Sequence, residues 1–386
     1  MEFNTIVENL KPYPMEELKL IKKDLISQNK KVLDFGTGDP KIPTSPFIRN
    51  AVLNHIPEIS QYPSIRGEKA LIESIWAYLG DRFSIKKDDR LDILPSNGSK
   101  EAIFHTALCV VGRKNRRTIV YPNPGYPVYR AGAIFANGTP VPVSLDRKSG
   151  YLLQPWDLPD SIQNETAAIW INYPHNPTGA IGNDTYYSRL VEWAEKYDVL
   201  ILSDECYVDI FSPESTPPMT LSSYGSERVI SFMSLSKRSG ITGYRSGCII
   251  GAKPVIAKLA RARANFGAGT PTFIQHAAAA AWTDKDHVQM RRAIFQERMN
   301  TLGPFLISHG LIDESPKASF YFWCKIPPKW NGDDIEFSKE LARMGIITTP
   351  SQWLSEGIRG FVRFAMVPEL NDIKEAISIL EQVLTQ

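Results

Sequence analysis

The chain has 386 residues, of which 43% are hydrophobic and 22% are charged, a composition typical of a globular protein with a sizeable core and two or three domains. Its 44 basic and 42 acidic residues nearly cancel, so bulk charge provides no general attraction to nucleic acid or to an anionic membrane surface. The acidic start of the sequence lacks a signal-peptide core, and no run of about 18 apolar residues follows, so we expect a cytoplasmic protein without a membrane span.

Helices and short apolar strands alternate along the first three quarters of the sequence. Apolar residues at helical spacing, or apolar runs, predict helices over 14–30, 67–83, 98–111 and 184–197, and strands over 117–121, 167–172, 199–205, 228–234 and 245–251. The strands are apolar throughout rather than alternating, which is typical of a parallel sheet that is covered on both faces. The sequence therefore predicts a large, doubly wound, mostly parallel α/β domain.

The pattern changes from about residue 285. A long charged helix is predicted first, followed by a strand at 319–326, a helix at 333–344, a strand at 361–367 and a final amphipathic helix, which together indicate a smaller α+β domain. We therefore expect an N-terminal segment, 1–48, packing on the small domain, a large ligand-binding domain at 49–285 and a small C-terminal domain at 286–386.

Metal and disulfide chemistry find little support in the sequence. The six histidines are scattered, and no pair has the spacing of metal ligands, so we expect no metal site. The four cysteines lie far apart and form no CxxC motif, so we interpret them as small buried hydrophobic residues of a reducing compartment; they are Cys109, Cys206, Cys248 and Cys324.

The first polar motif is "PSNGSKEAI" (95–103), which opens a predicted helix. Gly98 allows the backbone to approach a ligand closely, and the N–H groups of Gly98, Ser99 and Lys100 would face an anion at the positive end of the helix dipole. Taken alone, this segment is equally explained as an ordinary helix cap.

Two stiff, proline-rich turns also follow predicted strands. "VYPNPGYPVY" (120–129) presents Tyr126 or Tyr129 as a flat aromatic face, and "NYPHNPTGA" (172–180) aims the amides of Asn172 and Asn176. Packed turns with core aromatics are the alternative for both.

A carboxylate and a lysine lie at the ends of the next two strands. "ILSDECYVDI" (201–210) delivers Asp204 at the end of an apolar strand, where burial raises a carboxyl pKa unless a cation or a donor compensates, and places Tyr207 nearby. The alternative for Asp204 is a helix N-cap.

The lysine belongs to "SLSKRSGITGYRSG" (234–247). Lys237, partly desolvated and close to Arg245, would have the lowered pKa that a nucleophilic amine needs. Ser234, Ser236 and Arg245 add donors suited to a phosphate. A solvated loop lysine is the alternative.

Together these groups match pyridoxal phosphate because open parallel sheets bind ligands at the carboxyl ends of their strands. Lys237 would join the cofactor aldehyde, Asp204 would hold the ring nitrogen, and Asn176 and Tyr207 would donate to the 3′ oxygen. Tyr126 would stack on the ring, while Gly98, Ser99, Ser234 and Arg245 would bind the phosphate.

The sequence resembles the class I/II aminotransferases of fold type I, which depend on pyridoxal phosphate. "NPTG" (176–179), "SDECY" (203–207) and "SLSKRSGITGYRSG" stand in that family's order and spacing, and the likeness covers nearly the whole chain. The resemblance implies that Lys237 binds the cofactor covalently and shuttles the substrate proton. It also implies that Arg363 in "FVRFA" (361–365) and the backbone of Gly38 bind the substrate α-carboxylate.

The resemblance further implies a homodimer with shared active sites, in which Tyr62 reaches the phosphate of the neighbouring subunit, and small amino acids and 2-oxo acids as substrates. Within the family, four segments are most similar to N-succinyl-diaminopimelate aminotransferases: "YPNPGYPVYRAGAI", "SDECYVDIF", "SLSKRSGITGYRSG" and "ASFYFWCKIP". Another aminotransferase specificity (LL-diaminopimelate, aspartate or aromatic), a pyridoxal phosphate β-lyase and a non-catalytic cofactor-sensing module remain alternatives. Arg66 and Arg130 are candidates for binding a second carboxylate.

Overall fold

The computed structural model describes residues 4–8, 14–88 and 90–385, and these residues form three β-sheets. The strands are β1 (Leu33–Asp34), β2 (Leu91–Ser96), β3 (Thr118–Asn123), β4 (Thr139–Ser144), β5 (Thr166–Asn172), β6 (Leu200–Asp204), β7 (Val229–Ser234), β8 (Gly247–Ala252), β9 (Tyr321–Lys325), β10 (Ile346–Ile347), β11 (Thr349–Pro350) and β12 (Phe361–Ala365). The helices are α1 (Thr5–Glu8), α2 (Pro14–Ser27), α3 (Pro46–Asn54), α4 (Lys69–Phe83), α5 (Ser99–Val110), α6 (Val128–Phe135), α7 (Asp160–Glu165), α8 (Asp184–Tyr197), α9 (Leu235–Arg238), α10 (Lys253–Phe266), α11 (Thr272–Thr283), α12 (Asp286–Ser308), α13 (Asp334–Arg343) and α14 (Leu370–Thr385).

The largest sheet has seven strands in the order β2-β8-β7-β6-β5-β3-β4. All its strands run parallel except β8, which is antiparallel to both β2 and β7. Side chains of successive β5 residues point to opposite faces of the sheet. Ile169 and Ile171 therefore pack with α8, while Trp170 packs with α5, α6 and α10. Helices thus cover both faces, and the predicted doubly wound α/β class is confirmed.

A smaller unit follows the long helix α12. Its three strands pair antiparallel in the order β11-β12-β9, and they share a hydrophobic core with α12, α13 and α14. The N-terminal segment reaches this unit, because β1 pairs in parallel with β10 and because Leu18 and Leu25 of α2 pack against Ala342 and Ile347. The boundaries at residues 48 and 285 stay predictions.

One expectation about the core is wrong. Cys109 is exposed on α5, since it falls on the outer face of that helix, and Cys206 is only partly buried because it lies beside a cavity; Cys248 and Cys324 are buried as expected. Among the described ranges, no helix is both long and apolar enough to cross a bilayer.

The sheet brings the predicted polar groups to one edge. Parallel strands end on the same side, and the register places Asn172 of β5 opposite Asp204 of β6. Ser234, the last residue of β7, pairs with Gly247 of β8. The site therefore lies at the carboxyl edge of the sheet, where it faces the smaller unit.

Candidate active site

A cavity of about 490 Å³ opens at this edge, a size that suits a small cofactor and its substrate. Eleven of the predicted site residues line it together: Gly38, Ser99, Lys100, Tyr126, Asn176, Asp204, Tyr207, Ser234, Lys237, Arg245 and Arg363. Gly98 directly precedes the lining residue Ser99, whereas Tyr62 lies outside the cavity.

Lys237 projects into the cavity from α9, a single turn that follows β7 directly. The Ser234 side chain caps that turn by accepting a hydrogen bond from the Ser236 N–H at 3.1 Å. Lys237 Nζ donates to the carbonyl oxygen of Gly38. Burial lowers the pKa of Lys237 from 10.5 to about 8, with smaller lowering effects from Arg363 and Arg245 and an opposing one from Asp39. Near neutral pH a far larger fraction of this amine is therefore unprotonated than of an ordinary lysine.

Asp204 ends β6 and is 4% exposed. The Tyr129 hydroxyl donates to its Oδ2 at 2.6 Å, and the Cys206 N–H donates to its Oδ1 at 3.2 Å. Burial raises the pKa of Asp204 above its ordinary value, and these two hydrogen bonds only partly oppose the rise. Because both donors are neutral, the buried carboxylate is well suited to a cationic partner within the cavity.

The structure separates the two tyrosines that the sequence left as alternatives. Tyr126 lines the cavity, whereas Tyr129 is fully buried, stacks on Trp170 with ring centroids 5.0 Å apart, and supports Asp204 from below. Tyr126 is thus the aromatic face available to a ligand, and Tyr129 positions the carboxylate.

Donors for an anion cluster where α5 begins. Gly98 has φ +78°, and a Cβ on it would come within 2.5 Å of Arg245 Nη2, so both its conformation and the space around it require glycine. Arg245 is itself fixed by donating to the carbonyl oxygens of Thr242 at 2.7 Å and Asn97 at 3.1 Å. The Ser96 hydroxyl is buried there without a hydrogen-bond partner.

Arg363 enters the cavity from β12 of the smaller unit. Its guanidinium donates to Asn176 Oδ1 at 3.0 Å and to the Gly36 carbonyl at 2.8 Å, while its Nε is buried without a partner. It also lies over the Tyr321 ring at 4.5 Å. These contacts hold a buried cation near Lys237, in a position suited to a carboxylate.

Several cavity residues escaped the sequence analysis. The Tyr321 and Tyr207 hydroxyls lie 2.9 Å apart, and a Cβ on Gly38 would meet the Tyr321 hydroxyl at 2.2 Å. The segment around Tyr321 was interpreted as a strand and as one of the four segments that resemble N-succinyl-diaminopimelate aminotransferases, but nothing in its pattern marks one face as functional. Thr242 also lines the cavity, and its place within the lysine motif was a usable signal, whereas Ser236 lines the cavity as one of the predicted donors.

Three predicted ligand residues lie apart from this cavity. Tyr62 is fully exposed, so in a single chain it contacts no ligand in the cavity. Arg66 pairs with Asp92 at 3.0 Å on the surface. Arg130 lies in an adjoining cavity, where its Nε is 3.2 Å from Glu356 Oε1.

This donor set fits pyridoxal phosphate. Among the described residues, the cavity offers an amine of lowered pKa, a buried carboxylate with no cationic partner, an aromatic face, and anion donors at a helix N-terminus beside a fixed arginine. A second arginine provides for a substrate carboxylate.

Comparisons with known proteins agree with the geometry. The family model described as aminotransferase class I and II matches residues 30–380. LL-diaminopimelate aminotransferase of Aquifex aeolicus (strain VF5) is 32% identical over 379 residues, 97% of each chain. The crystal structure of aminotransferase AspB from Helicobacter pylori 26695 superposes with TM-score 0.86 at 28% identity, over 98% of this chain and 100% of that one. A probable N-succinyldiaminopimelate aminotransferase from Thermus thermophilus shares the fold, with TM-score 0.87 at 22% identity over 96% and 99% of the two chains. The chain therefore belongs to the class I and II aminotransferases, a family that uses pyridoxal phosphate.

Proposed function

We propose that this aminotransferase moves an amino group between glutamate and a long acceptor of the diaminopimelate class. The observation that carries the proposal is the buried Lys237 amine, whose pKa is about 8, in the same cavity as Asp204 and Arg363. When bound, pyridoxal phosphate supplies a ring that accepts electrons from the substrate Cα.

Each residue then has a defined role. Asp204 holds positive charge on the ring nitrogen, which relieves the cost of burying the carboxylate alone. Lys237 removes and returns the proton at the substrate Cα, and its lowered pKa suits proton transfer near neutral pH. Arg363 and the backbone of Gly38 orient the α-carboxylate, and Asn176 keeps the guanidinium in place.

The phosphate site and the ring face complete the assignment. The N–H groups at the start of α5, with Gly98, Ser99 and Lys100, hold the phosphate together with Ser234 and Arg245. Tyr126 stacks on the ring, and Tyr207 donates to the 3′ oxygen together with Asn176. Tyr62, exposed in one chain, completes the phosphate site of a partner in a homodimer.

Two substrates of the diaminopimelate class are supported by different observations: LL-diaminopimelate, which would donate an amino group to 2-oxoglutarate, and N-succinyl-2-amino-6-oxopimelate, whose oxo group would accept one from glutamate. Sequence relatives at about one-third identity, including the Aquifex protein, are LL-diaminopimelate aminotransferases, and we propose that substrate first. N-succinyl-2-amino-6-oxopimelate, favoured by the four sequence segments, is the second candidate. The Thermus protein of the same fold is named a probable N-succinyldiaminopimelate aminotransferase.

The test is a substrate panel with purified enzyme and added pyridoxal phosphate. LL-diaminopimelate with 2-oxoglutarate should yield glutamate, which mass spectrometry quantifies, and Lys237→Ala should abolish the yield. Turnover of aspartate or aromatic amino acids alone would exclude the diaminopimelate class. Release of pyruvate and a thiol from cystathionine would indicate a β-lyase, and no half-reaction with any amino acid would refute the proposal.

A further inference from the structure

A second cavity of about 790 Å³ adjoins the first and has no role in the chemistry derived so far. The two cavities share lining residues at their junction, among them Tyr126, Pro127 and Leu354. A substrate held by Arg363 in the first cavity can therefore extend past Tyr126 into the second. The groups lining the second cavity then decide which distal end is accepted.

Three polar side chains meet in this second cavity. The Tyr121 hydroxyl donates to Glu356 Oε1, and Arg130 Nε lies 3.2 Å from the same oxygen. Both contacts converge on Oε1, so Oε2 is the oxygen that remains for a ligand. A guanidinium has five N–H donors, and the contacts of Arg130 with Glu356 and with the Tyr121 hydroxyl leave donors for a ligand. The cluster thus presents one cation and one carboxylate side by side.

Residues of β3 hold Glu356 in place through its backbone and its carboxylate. Asn123 donates through Nδ2 to the Glu356 carbonyl at 2.9 Å and accepts from the Glu356 N–H at 2.8 Å. Asn123 and Tyr121 are two residues apart on β3, so their side chains emerge on the same face of the strand. Burial, followed by the bond to Glu356, raises the pKa of Tyr121, which keeps its hydroxyl protonated as a donor.

Both Arg130 and Glu356 are 42% exposed, so the pair is open to a ligand while remaining part of a cavity wall. An ion pair at this exposure contributes little stability by itself, so exchanging it for ligand contacts costs little. The charges complement a group that carries a carboxylate and an ammonium on one carbon.

We infer that Arg130 and Glu356 form the distal recognition site for a substrate with an amino acid group at each end, Arg130 binding its distal carboxylate and Glu356 its distal ammonium. Tyr121 and Asn123 act as positioning residues for Glu356. This inference rests on the proposed function and deepens it. It favours LL-diaminopimelate, whose distal amine is charged, over an N-succinyl substrate, in which that nitrogen is a neutral amide.

The experiment compares kcat/KM of holoenzyme variants on LL-diaminopimelate, on 2-aminopimelate, which keeps the distal carboxylate but lacks the distal amine, and on glutamate. Glu356→Gln should lower kcat/KM for LL-diaminopimelate by about tenfold or more, since a hydrogen bond to a charged group is lost. The same variant should keep kcat/KM for 2-aminopimelate and for glutamate within about twofold of the wild-type values. Arg130→Met should lower kcat/KM for LL-diaminopimelate and for 2-aminopimelate, and it should leave kcat/KM for glutamate unchanged.

Controls separate recognition from structure. Tyr121→Phe should show the selectivity pattern of Glu356→Gln with a smaller loss, as expected when the carboxylate is present but less well positioned. Glu336→Gln, which alters an exposed glutamate paired with Arg343 on α13, is the matched control and should change none of the three substrates. Melting temperatures of all variants show whether folding is intact.

Three results would overturn the inference: an equal loss for LL-diaminopimelate and 2-aminopimelate in Glu356→Gln, no loss in that variant, or a wild type that prefers N-succinyl-LL-diaminopimelate to LL-diaminopimelate. In each case wild-type activity with glutamate would leave the aminotransferase function standing. Absence of any glutamate half-reaction would instead refute the proposed function.

Discussion

The lowered pKa of Lys237 is the property on which nucleophilic chemistry at this site depends, and it can be measured without the cofactor. Burial and two arginines bring this pKa from 10.5 to about 8. At pH 7.5 an amine with a pKa of 8 is about one-quarter unprotonated, whereas one with a pKa of 10.5 is unprotonated in about one molecule in a thousand. The structure therefore predicts that the unprotonated fraction of Lys237 is roughly 200-fold larger than that of an ordinary lysine at that pH.

Competitive labelling of the apoprotein tests this prediction. Traces of acetic anhydride are added across about pH 6 to 11, with Nα-acetyllysine amide as internal reference, and mass spectrometry quantifies the peptide that contains Lys237. The midpoint should fall near pH 8, and a midpoint at about 10 or above would refute the reasoning.

Variants of the charged neighbours test the assigned causes. Asp39 raises the pKa and Arg363 lowers it, so Asp39→Asn should move the midpoint further down and Arg363→Met should move it up. Each of these shifts in the midpoint should be smaller than the whole lowering from 10.5 to about 8, because burial is the largest cause of that lowering. Asp146→Asn, at an exposed carboxylate outside the cavity, is the matched control and should leave the midpoint unchanged.

Three further predictions concern the other proposed ligands. Asp204→Asn should raise the melting temperature of the apoprotein by about 1–3 °C at neutral pH, because a buried amide carries no ionisation cost. The gain should vanish at low pH, where Asp204 is protonated in both the folded and the unfolded state. The same variant should lower the single-turnover rate of the holoenzyme about 100-fold, and an unchanged rate would contradict the assigned role. Arg363→Lys should raise KM for every amino acid substrate about tenfold, since lysine lacks the fork that grips a carboxylate; steady-state kinetics with an unchanged KM would refute this. Tyr62→Phe should weaken cofactor binding about fivefold in equilibrium dialysis while sedimentation still shows a dimer, and an unchanged affinity would exclude the contact between subunits.

The sequence predicted the large sheet well because its central strands are buried on both faces. Continuous apolar runs such as 167–172 correspond to β5 at Thr166–Asn172, and the amphipathic pattern of 184–197 corresponds to α8 at Asp184–Tyr197. Once those strands are parallel, their carboxyl ends share one edge, so placing Asp204 and Lys237 in one site required only the order of the strands.

The edge of the sheet was harder to predict. β4, "TPVPVS", carries two prolines and stays partly exposed, so it shows neither the apolar run of a central strand nor a clean alternation. Proline is tolerated there because an edge strand has N–H groups that need no partner. Single-sequence patterns therefore miss such a strand, although it pairs with β3 along its whole length.

Side-chain roles within the site depended on tertiary contacts that spacing does not encode. Tyr126 and Tyr129 are one helical turn apart, and only the packing of Trp170 decides that Tyr129 is buried beneath Asp204. Likewise Tyr321 meets Tyr207 across 114 residues of sequence, through the approach of the smaller unit.

The hairpin from β11 to β12 links the two ends of the proposed substrate site. Thr349 of β11 pairs with Arg363 of β12, and the connecting loop carries Leu354 and Glu356. The Leu354 carbonyl accepts from the Gly125 N–H at 2.8 Å, which fixes this loop against the turn that bears Tyr126. The groups for the proximal carboxylate and the distal ammonium thus belong to one short, anchored segment. Because that segment fixes their separation, the proposed site would select the length of the substrate together with the charge at its far end.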